Sequence, residues 1–164
     1  MATEGWLRFD FQQGQLQRLA ARGRPIDMLT DLQAQQRTVW VPDAATSQIR
    51  FQIKTFGVNV DGSFKGISGS VLWNADKPLE TTVNVSVDAS TINTGINARD
   101  NHLRKAEYFN VAAHPKLSFV STRVANSTRT GTYIMYGQLT IKKTTRDISF
   151  PFTVTPHTNG FTFE

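Results

Sequence analysis

The fold of this chain is decided by residues 94–121, which read TGINARDNHLRKAEYFNVAAHPKLSFVS. A charged segment with helical character begins near Arg99, and Pro115 ends it because proline cannot continue a helix. Beyond this proline, apolar residues return at every second position, as expected for a strand with one buried face. The stretch therefore predicts one short helical interruption, near residues 97–109, in a chain that is otherwise built from strands.

Both flanks of this segment show the alternation that is typical of half-buried strands. Residues 47–54 place Ile49, Phe51 and Ile53 on one side and polar residues on the other, and residues 146–155 repeat the pattern. Seven or eight such strands follow one another at short spacing, which indicates an antiparallel barrel or sandwich. Roughly eight strands close a barrel just wide enough for one small ligand. No strand–helix–strand alternation occurs, so the sequence predicts an all-β fold.

Residues 1–36 differ in character from the rest and are predicted to form an N-terminal extension. Alternating apolar residues predict a strand over residues 6–11, and helical spacing at residues 12–21 and 26–32 predicts two short helices. Residues 37–164 then form one β domain, which is long enough to bury a core of its own.

The composition is that of a globular domain with an apolar interior. The chain is 39% hydrophobic and 19% charged, and its eleven Phe outnumber three Tyr and three Trp. Cysteine is absent, which excludes disulfides and thiolate chemistry. No apolar run approaches the roughly 18 to 20 residues that span a bilayer, so no transmembrane segment is expected. Because no basic region precedes an apolar one at the N-terminus, the sequence as written predicts a cytoplasmic protein.

The positive charge is concentrated in the β domain. The net charge is +5, and residues 1–36 sum to zero, so the whole excess lies in residues 37–164. A basic face of this kind attracts nucleic acid or anionic lipid headgroups, or it is a solvated exterior. The most basic cluster, residues 142–146, lacks the exposed aromatic residues of a base-stacking surface, so nucleic acid is not expected.

An ordered set of motifs between residues 39 and 163 resembles the YceI-like family of polyisoprenoid-binding proteins. The family's fold is a lipocalin-like antiparallel β-barrel with a lipid in its lumen, and the resemblance implies that fold here. The matching residues are Trp40, Asp43, Ser47, Phe51, Gly62, Phe64, Gly69, Thr94, Arg99, Asp100, His102, Leu103, Phe109, Pro115, Phe119, Ser121, Gly137, Leu139, Thr140, Ile141, Thr145 and Pro151.

The resemblance implies a protein without catalytic activity that binds, transports or sequesters a long-chain apolar lipid. The lipid classes are a polyisoprenoid, an isoprenoid quinone or a fatty acyl amide, and no other cofactor is expected. Burial of each CH₂ group contributes about 0.8 kcal/mol, so such a ligand needs an apolar tunnel and few polar contacts. The inward-facing residues expected to contact the lipid are Phe51, Ile53, Phe64, Trp73, Val85, Phe119, Met135, Leu139, Phe150 and Phe152.

The charged cluster Arg99, Asp100 and His102 has two interpretations. It braces the short helix, with Asn97 or Asp100 as its cap, or it lies at the barrel mouth and meets a ligand headgroup. A catalytic role is not expected, because Asp100 and His102 are two residues apart and face different sides of a helix. The three histidines, His102, His114 and His157, lack the spacing of metal ligands, so no metal site is expected.

An alternative to lipid carriage is a β module filled by its own side chains. Such a module would bind an anionic partner, either nucleic acid or anionic lipid headgroups, through its basic face. The two interpretations differ in salt dependence: binding in the lumen barely changes with salt, whereas binding to a basic face weakens steeply as salt rises.

The sequence departs from the family pattern at two places. Lys143 stands where the family usually has Gly, so an altered turn is expected after Ile141. The sequence ends at Glu164, where the family continues with one or two further strands. A strand over residues 7–11 or a second copy in a homodimer would complete the barrel, and a truncation is the third explanation. If the sequence is a mature form, a periplasmic location follows, as is common in the family.

Overall fold

The structure, a computed structural model, describes residues 6–8, 17–18, 38–158 and 160–164. These residues form strands joined by short connections, one α-helix and one 3₁₀ turn. In chain order the elements are β1 (Trp6–Arg8), β2 (Gln17–Arg18), β3 (Thr38–Val41), β4 (Ile49–Thr55), β5 (Val58–Trp73), the 3₁₀ turn (Pro78–Glu80), β6 (Thr82–Asn93), α1 (Asn97–Leu103), β7 (Lys116–Asn126), β8 (Thr132–Ile141), β9 (Thr144–His157) and β10 (Gly160–Phe163).

The ten described strands form one antiparallel sheet that curls into a half-barrel. Neighbouring strands follow the order β1-β4-β5-β6-β7-β8-β9-β10, with β2 and β3 beside this path. One edge of β5 pairs with two strands in succession, because residues 58–64 pair with β4 and residues 71–73 pair with β3. The other edge of β5 pairs with β6. The predicted all-β, lipocalin-like antiparallel architecture with a single short helix is confirmed.

The long strand β5 bends at glycines. Gly62 pairs regularly with Phe51 within this strand of 16 residues. The register shifts lie instead in the pairing with β6, on both sides of Lys65. Gly66 and Gly69 have φ angles of +69° and +119°, and a Cβ at Gly69 would collide with the backbone of β6. Bulged pairing with glycine therefore supplies the curvature of the half-barrel.

The N-terminal extension contributes two short strands to the sheet edge. The strand predicted over residues 6–11 is observed as β1, which pairs with residues 50–52 of β4, and residues 9–11 lie outside the described residues. The helix predicted over residues 12–21 is wrong at β2, which pairs with β3. A free strand edge offers backbone hydrogen bonds that outweigh weak helical spacing. The second predicted helix, residues 26–32, lies outside the described residues.

The half-barrel has an open side between β9 and the edge formed by β1 and β4, since no described residues of these strands are paired across it. On its outer edge, β9 pairs with β10 only over residues 154–157, and Thr153 exchanges two backbone hydrogen bonds with Glu164. Residues 144–152 have no strand partner on that edge among the described residues. The helix α1 spans seven residues, and the described ranges contain no helix that is long and apolar enough to cross a membrane.

One half of the interior is filled by aromatic rings. Trp73 lies against Tyr133 and Phe163 with ring centroids 6.3 and 5.6 Å apart, and Phe152 contacts the same two rings at 5.6 and 6.2 Å. Phe161 adds a further contact, 6.0 Å from Trp73. Edge-on, tilted and stacked ring pairs at these distances pack favourably. We call this part, at the end of the half-barrel away from α1, the packed half.

Candidate ligand-binding cavity

The other half of the interior, nearer α1, encloses a cavity of about 550 Å³. We call this part the hollow half. Of its seventeen lining residues thirteen are apolar, and none carries a charge. The lining residues are Ile49, Phe51, Gln52, Ile53, Phe64, Val85, Ser86, Val87, Phe109, Leu117, Ser118, Phe119, Leu139, Ile141, Ile148, Ser149 and Phe150.

Seven of the ten residues predicted to contact a lipid line this cavity. Trp73, Met135 and Phe152 do not, since they are buried in or beside the packed half. Met135 and Phe152 border a small void of about 30 Å³. All ten side chains point inward, as the alternation predicted, but inward-facing residues at one end of the half-barrel pack against each other. Ligand contact by the seven lining residues stays a prediction; the seven are Phe51, Ile53, Phe64, Val85, Phe119, Leu139 and Phe150.

The sequence prediction missed six apolar residues of the wall. Five of them share the alternation of the predicted set, and the period-two pattern could have found them: Ile49, Val87, Leu117, Ile141 and Ile148. The sixth, Phe109, lies in the irregular connection between α1 and β7, where no periodicity marks an inward direction. Its ring packs edge-on against Phe64, with centroids 5.7 Å apart, and so covers one end of the cavity.

Two glycines hold lining rings against the wall. A Cβ at Gly62 would collide with the ring of Phe51, and a Cβ at Gly137 would collide with the ring of Phe119. Each ring therefore lies directly over a glycine on a nearby strand, the arrangement in which an aromatic side chain covers exposed glycine backbone. Since the rings occupy the space that side chains would take at these glycines, less of each ring extends into the lumen.

The cavity reaches the open side of the half-barrel. On β4, Phe51, Gln52 and Ile53 all line it, and on β9 it is lined by Ile148 and Phe150 with the intervening serine. Residues 50–52 of β4 are paired with β1 on their outer edge, whereas residues 148–150 of β9 have no strand partner on theirs among the described residues, so the cavity is open on the side of β9. Gln52 donates a hydrogen bond of 2.7 Å to Asp61 rather than to a group in the lumen. The site thus offers apolar walls and a lateral opening.

Two of the three residues predicted at the barrel mouth, Arg99 and Asp100, form hydrogen bonds that hold α1 in place. The Asp100 carboxylate is buried and accepts hydrogen bonds from the Thr94 backbone N–H at 2.9 Å and from its hydroxyl at 2.6 Å. Arg99 donates from Nε to the same hydroxyl oxygen at 2.7 Å and from Nη2 to the Thr94 carbonyl at 2.8 Å. These bonds fasten the first turn of α1 to the end of β6. Ile96 is the N-cap residue and makes no side-chain cap bond, so capping by Asn97 or Asp100 is wrong.

The rest of the helix is fastened in the same way. Arg104 donates hydrogen bonds to the carbonyls of Ser90 and Ile92 on β6, at 2.8 and 3.0 Å. The exposed ring of His102 lies against Tyr108, with centroids 4.9 Å apart. Arg99, Asp100 and His102 do not line the cavity, and contact of these three residues with a headgroup stays a prediction. No group of three potential metal ligands occurs in the described part of the chain.

The nature of the lining limits what the cavity can bind. Its four polar lining residues are uncharged. The hydroxyl oxygens of Ser86 and Ser68 lie 3.1 Å apart and share a hydrogen bond on the sheet surface. A site with few polar groups selects by shape and by apolar area, not by charge. The arrangement suits an uncharged hydrocarbon chain and provides no group that would anchor an ionised ligand.

Comparison with known proteins identifies similar chains in bacteria. The UPF0312 protein PC1_2518 of Pectobacterium carotovorum is 34% identical over 101 residues, which are 61% of this chain and 52% of that protein. The protein YceI of Salmonella arizonae is 35% identical over 77 residues, 46% of this chain and 40% of that protein. The chain thus spans about half the length of the curated relatives it matches.

The fold is also similar to solved structures. The crystal structure of Burkholderia cenocepacia BcnA superimposes with a TM-score of 0.66 at 25% identity, covering 74% of this chain and 76% of that one. The sequence profile of the YceI-like domain matches residues 40–164, which is most of the chain and the whole of the β-rich part after Val39. On this match, and with the half-barrel and its cavity in agreement, the chain belongs to the YceI-like family.

Proposed function

We propose that this chain binds a long-chain apolar lipid in the hollow half and carries or sequesters it without catalysis. The ligand class is a polyisoprenoid, an isoprenoid quinone or a fatty acyl amide. The observation that carries the proposal is a cavity of about 550 Å³ whose lining residues include no charged side chain. The family's association with polyisoprenoid binding supports the same ligand class.

The cavity volume sets the length of chain that it holds. If each heavy atom occupies roughly 30 Å³, as a water molecule does in the liquid, 550 Å³ holds about 18 heavy atoms. That is between three and four C₅ isoprene units. A longer chain would leave the lumen through the open side along residues 144–152 of β9.

Hydrophobic burial is sufficient to hold such a ligand. At about 0.8 kcal/mol per CH₂ group, a chain of this size gains on the order of 10 kcal/mol gross. Part of this is offset by the lost translational and conformational freedom of the ligand. The remainder is compatible with tight binding even though the lumen offers few hydrogen bonds.

The basic-face alternative predicts a different interior. A module filled by its own side chains needs no cavity, whereas the hollow half leaves room for a ligand. Affinity measured at rising salt separates the two, because lumen binding is nearly insensitive to salt and basic-face binding falls steeply.

Native mass spectrometry of the purified protein, followed by organic extraction of the same sample, tests the proposal. We expect a co-purifying species with an isoprenoid or acyl mass that solvent releases. An empty protein is then mixed with a C₂₀ polyprenol, which should bind in a one-to-one ratio. A blank extract together with no uptake of the added polyprenol would contradict the proposal.

A further inference from the structure

The two ends of the half-barrel differ in exposed apolar surface and in charge. We define the helix end as the connections at residues 54–58, 94–115 and 142–143, and the far end as those at 74–81, 127–131 and 158. The three connections of the helix end lie close together. Ser63 of β5 pairs with Asn93 of β6, and the Lys142 ammonium donates a hydrogen bond of 3.3 Å to the carbonyl of Ala106. The helix end carries six basic and two acidic residues, a formal charge of +4, whereas the far end carries two of each.

The most exposed large apolar side chain of the described residues lies at the helix end. Phe56 is 96% exposed and Val58 is 62% exposed, at the tip of the hairpin between β4 and β5. Ile96 and Tyr108, at 52% and 46%, lie at the same end, and the far end has Leu79 at 45%. Single exposed apolar residues are common, but four of them at one end of the half-barrel are the kind of surface that marks an interaction site.

The backbone at this tip is unsuited to phenylalanine. Phe56 and Gly57 form a two-residue turn with φ angles of +49° and +77°, the left-handed geometry that favours Asn-Gly. A bulky residue at positive φ is an outlier, and such strain is found at functional sites. The other described non-glycine residues with positive φ, Asn110 and Lys142, also lie at the helix end. Phe56 thus stands where Asn would fold more easily, which points to a role outside folding.

The helix end adjoins the cavity. Ile53, Phe109 and Ile141 line the cavity, and each lies within or directly before a connection of the helix end. Ile53 is itself 36% exposed, three residues before the tip. A ligand that enters or leaves the hollow half near this end passes exposed apolar side chains surrounded by basic ones.

We propose that the helix end docks on the surface of an anionic lipid bilayer, with Phe56 and Val58 inserted among the lipids. Exposed aromatic and aliphatic residues next to lysines are the combination that binds such a surface, since the apolar groups insert and the ammonium groups meet the headgroups. Lys54, Lys105 and Lys143 are exposed and provide those charges. The docking goes beyond the lumen binding proposed above, and it is measured without reference to the cavity.

Flotation of the full chain with lipid vesicles tests the docking. We expect binding to vesicles of phosphatidylcholine with a one-third fraction of phosphatidylglycerol, weak binding to phosphatidylcholine alone, and release at high salt. Phe56→Asn should weaken binding roughly tenfold or more while leaving the melting temperature unchanged or higher, because Asn-Gly suits the turn. Phe56→Trp should retain binding. Lys143→Glu should weaken it roughly fivefold or more.

Matched changes at the far end serve as controls. Leu79→Asn and Arg129→Glu remove an exposed apolar group and reverse a charge, and both should bind vesicles as the wild type does. Wild-type protein that floats with neither vesicle would overturn the proposal, whatever other partner the tip has. Equal binding by Phe56→Asn and wild type, or equal losses at both ends, would overturn it as well.

Discussion

The hollow half and the packed half of the interior share strands β5, β8 and β9, yet the hollow half leaves a cavity of about 550 Å³ and the packed half is filled by rings. In the packed half, Trp73 meets the rings of Tyr133 and Phe163 across the lumen, with centroids 5.6–6.3 Å apart. In the hollow half the facing residues are largely aliphatic, and the rings of Phe51 and Phe119 lie over glycines. Alternation along a strand decides which side chains point inward, whereas the sizes of the facing side chains decide whether they meet.

The two halves of the interior have different roles, one in stability and one in ligand binding. Side chains of the packed half should hold the fold together, because close-packed rings lose transfer energy and leave a cavity when truncated. Side chains of the hollow half already border empty space, so changes there should alter ligand binding more than stability. Variants that fail to separate these two readouts would break the distinction.

The largest effect is expected from a charge placed in the hollow half. Leu139→Arg should weaken polyprenol uptake more than about 100-fold, because the guanidinium would be unpaired in an apolar lumen. Phe119→Arg should act in the same way. Uptake is measured by titration with a C₂₀ polyprenol after circular dichroism has shown that the variants fold. Gln138→Arg, on the exposed face beside Leu139, is the control and should bind as the wild type does. Normal uptake by folded Leu139→Arg would show that the ligand lies elsewhere.

A matched pair on β9 tests the division of duties directly. Phe152→Ala, in the packed half, should lower the free energy of unfolding by about 3–5 kcal/mol and leave uptake per folded molecule unchanged. Phe150→Ala, two residues earlier on the same face, borders the cavity and should cost less stability while weakening uptake several-fold. Urea unfolding and polyprenol titration measure both quantities. The reverse assignment of effects would contradict the two-part interior.

Loss of the hydrogen bonds between Asp100 and Thr94, which hold α1 in place, should affect the hollow half alone. Asp100→Ala removes the buried acceptor of two Thr94 hydrogen bonds, so the free energy of local opening at α1 should fall by about 3 kcal/mol. Looser anchoring of α1 also frees Phe109, so backbone hydrogen exchange should rise over residues 97–109 and stay unchanged around Trp73. Asn97→Ala, at an exposed position on the same helix, should change stability by less than about 0.5 kcal/mol. Uniformly faster exchange throughout the sheet would contradict a local role.

The smallest effect is expected from Gly62→Ala. The added methyl group meets the ring of Phe51, which must swing toward the lumen, so uptake should fall roughly fivefold with less than about 1 kcal/mol lost in stability. The φ angle at Gly62 is not in the left-handed region, so the backbone tolerates alanine. Gain of affinity, or no change at all, would show that the ring position does not limit the cavity.

The sequence predicted the architecture well because the determinants are local. Period-two patterns mark the strands, and the charged run before Pro115 marks the helix at Asn97–Leu103. The exceptions have long-range causes. β2 pairs with the free edge of β3, which no local pattern within residues 12–21 reveals. The bend of β5 arises in its register with β6, which shifts on both sides of Lys65.

The sequence predicts which side chains face the interior, but it does not predict how far the cavity extends along the strands. Nothing in the sequence distinguishes Phe150 from Phe152, since both are inward-facing phenylalanines of one strand, and the difference comes from the rings that face them on other strands. Phe109 cannot be predicted as a lining residue from periodicity, because it lies in the irregular connection between α1 and β7. Asp100 makes structural contacts, as one of the two interpretations expects, but it accepts hydrogen bonds from Thr94 and does not cap the helix.

Photocrosslinking with a diazirine-labelled C₂₀ polyprenol is the most direct test of ligand binding in the hollow half. After illumination, digestion and mass spectrometry, we expect labelled peptides from the hollow half, at residues 49–53, 117–119 and 139–141, and none around Trp73 or Tyr133 in the packed half. Excess unlabelled polyprenol should abolish the labels. Labels confined to the packed half or to the outer face of the sheet would contradict lipid binding in the cavity.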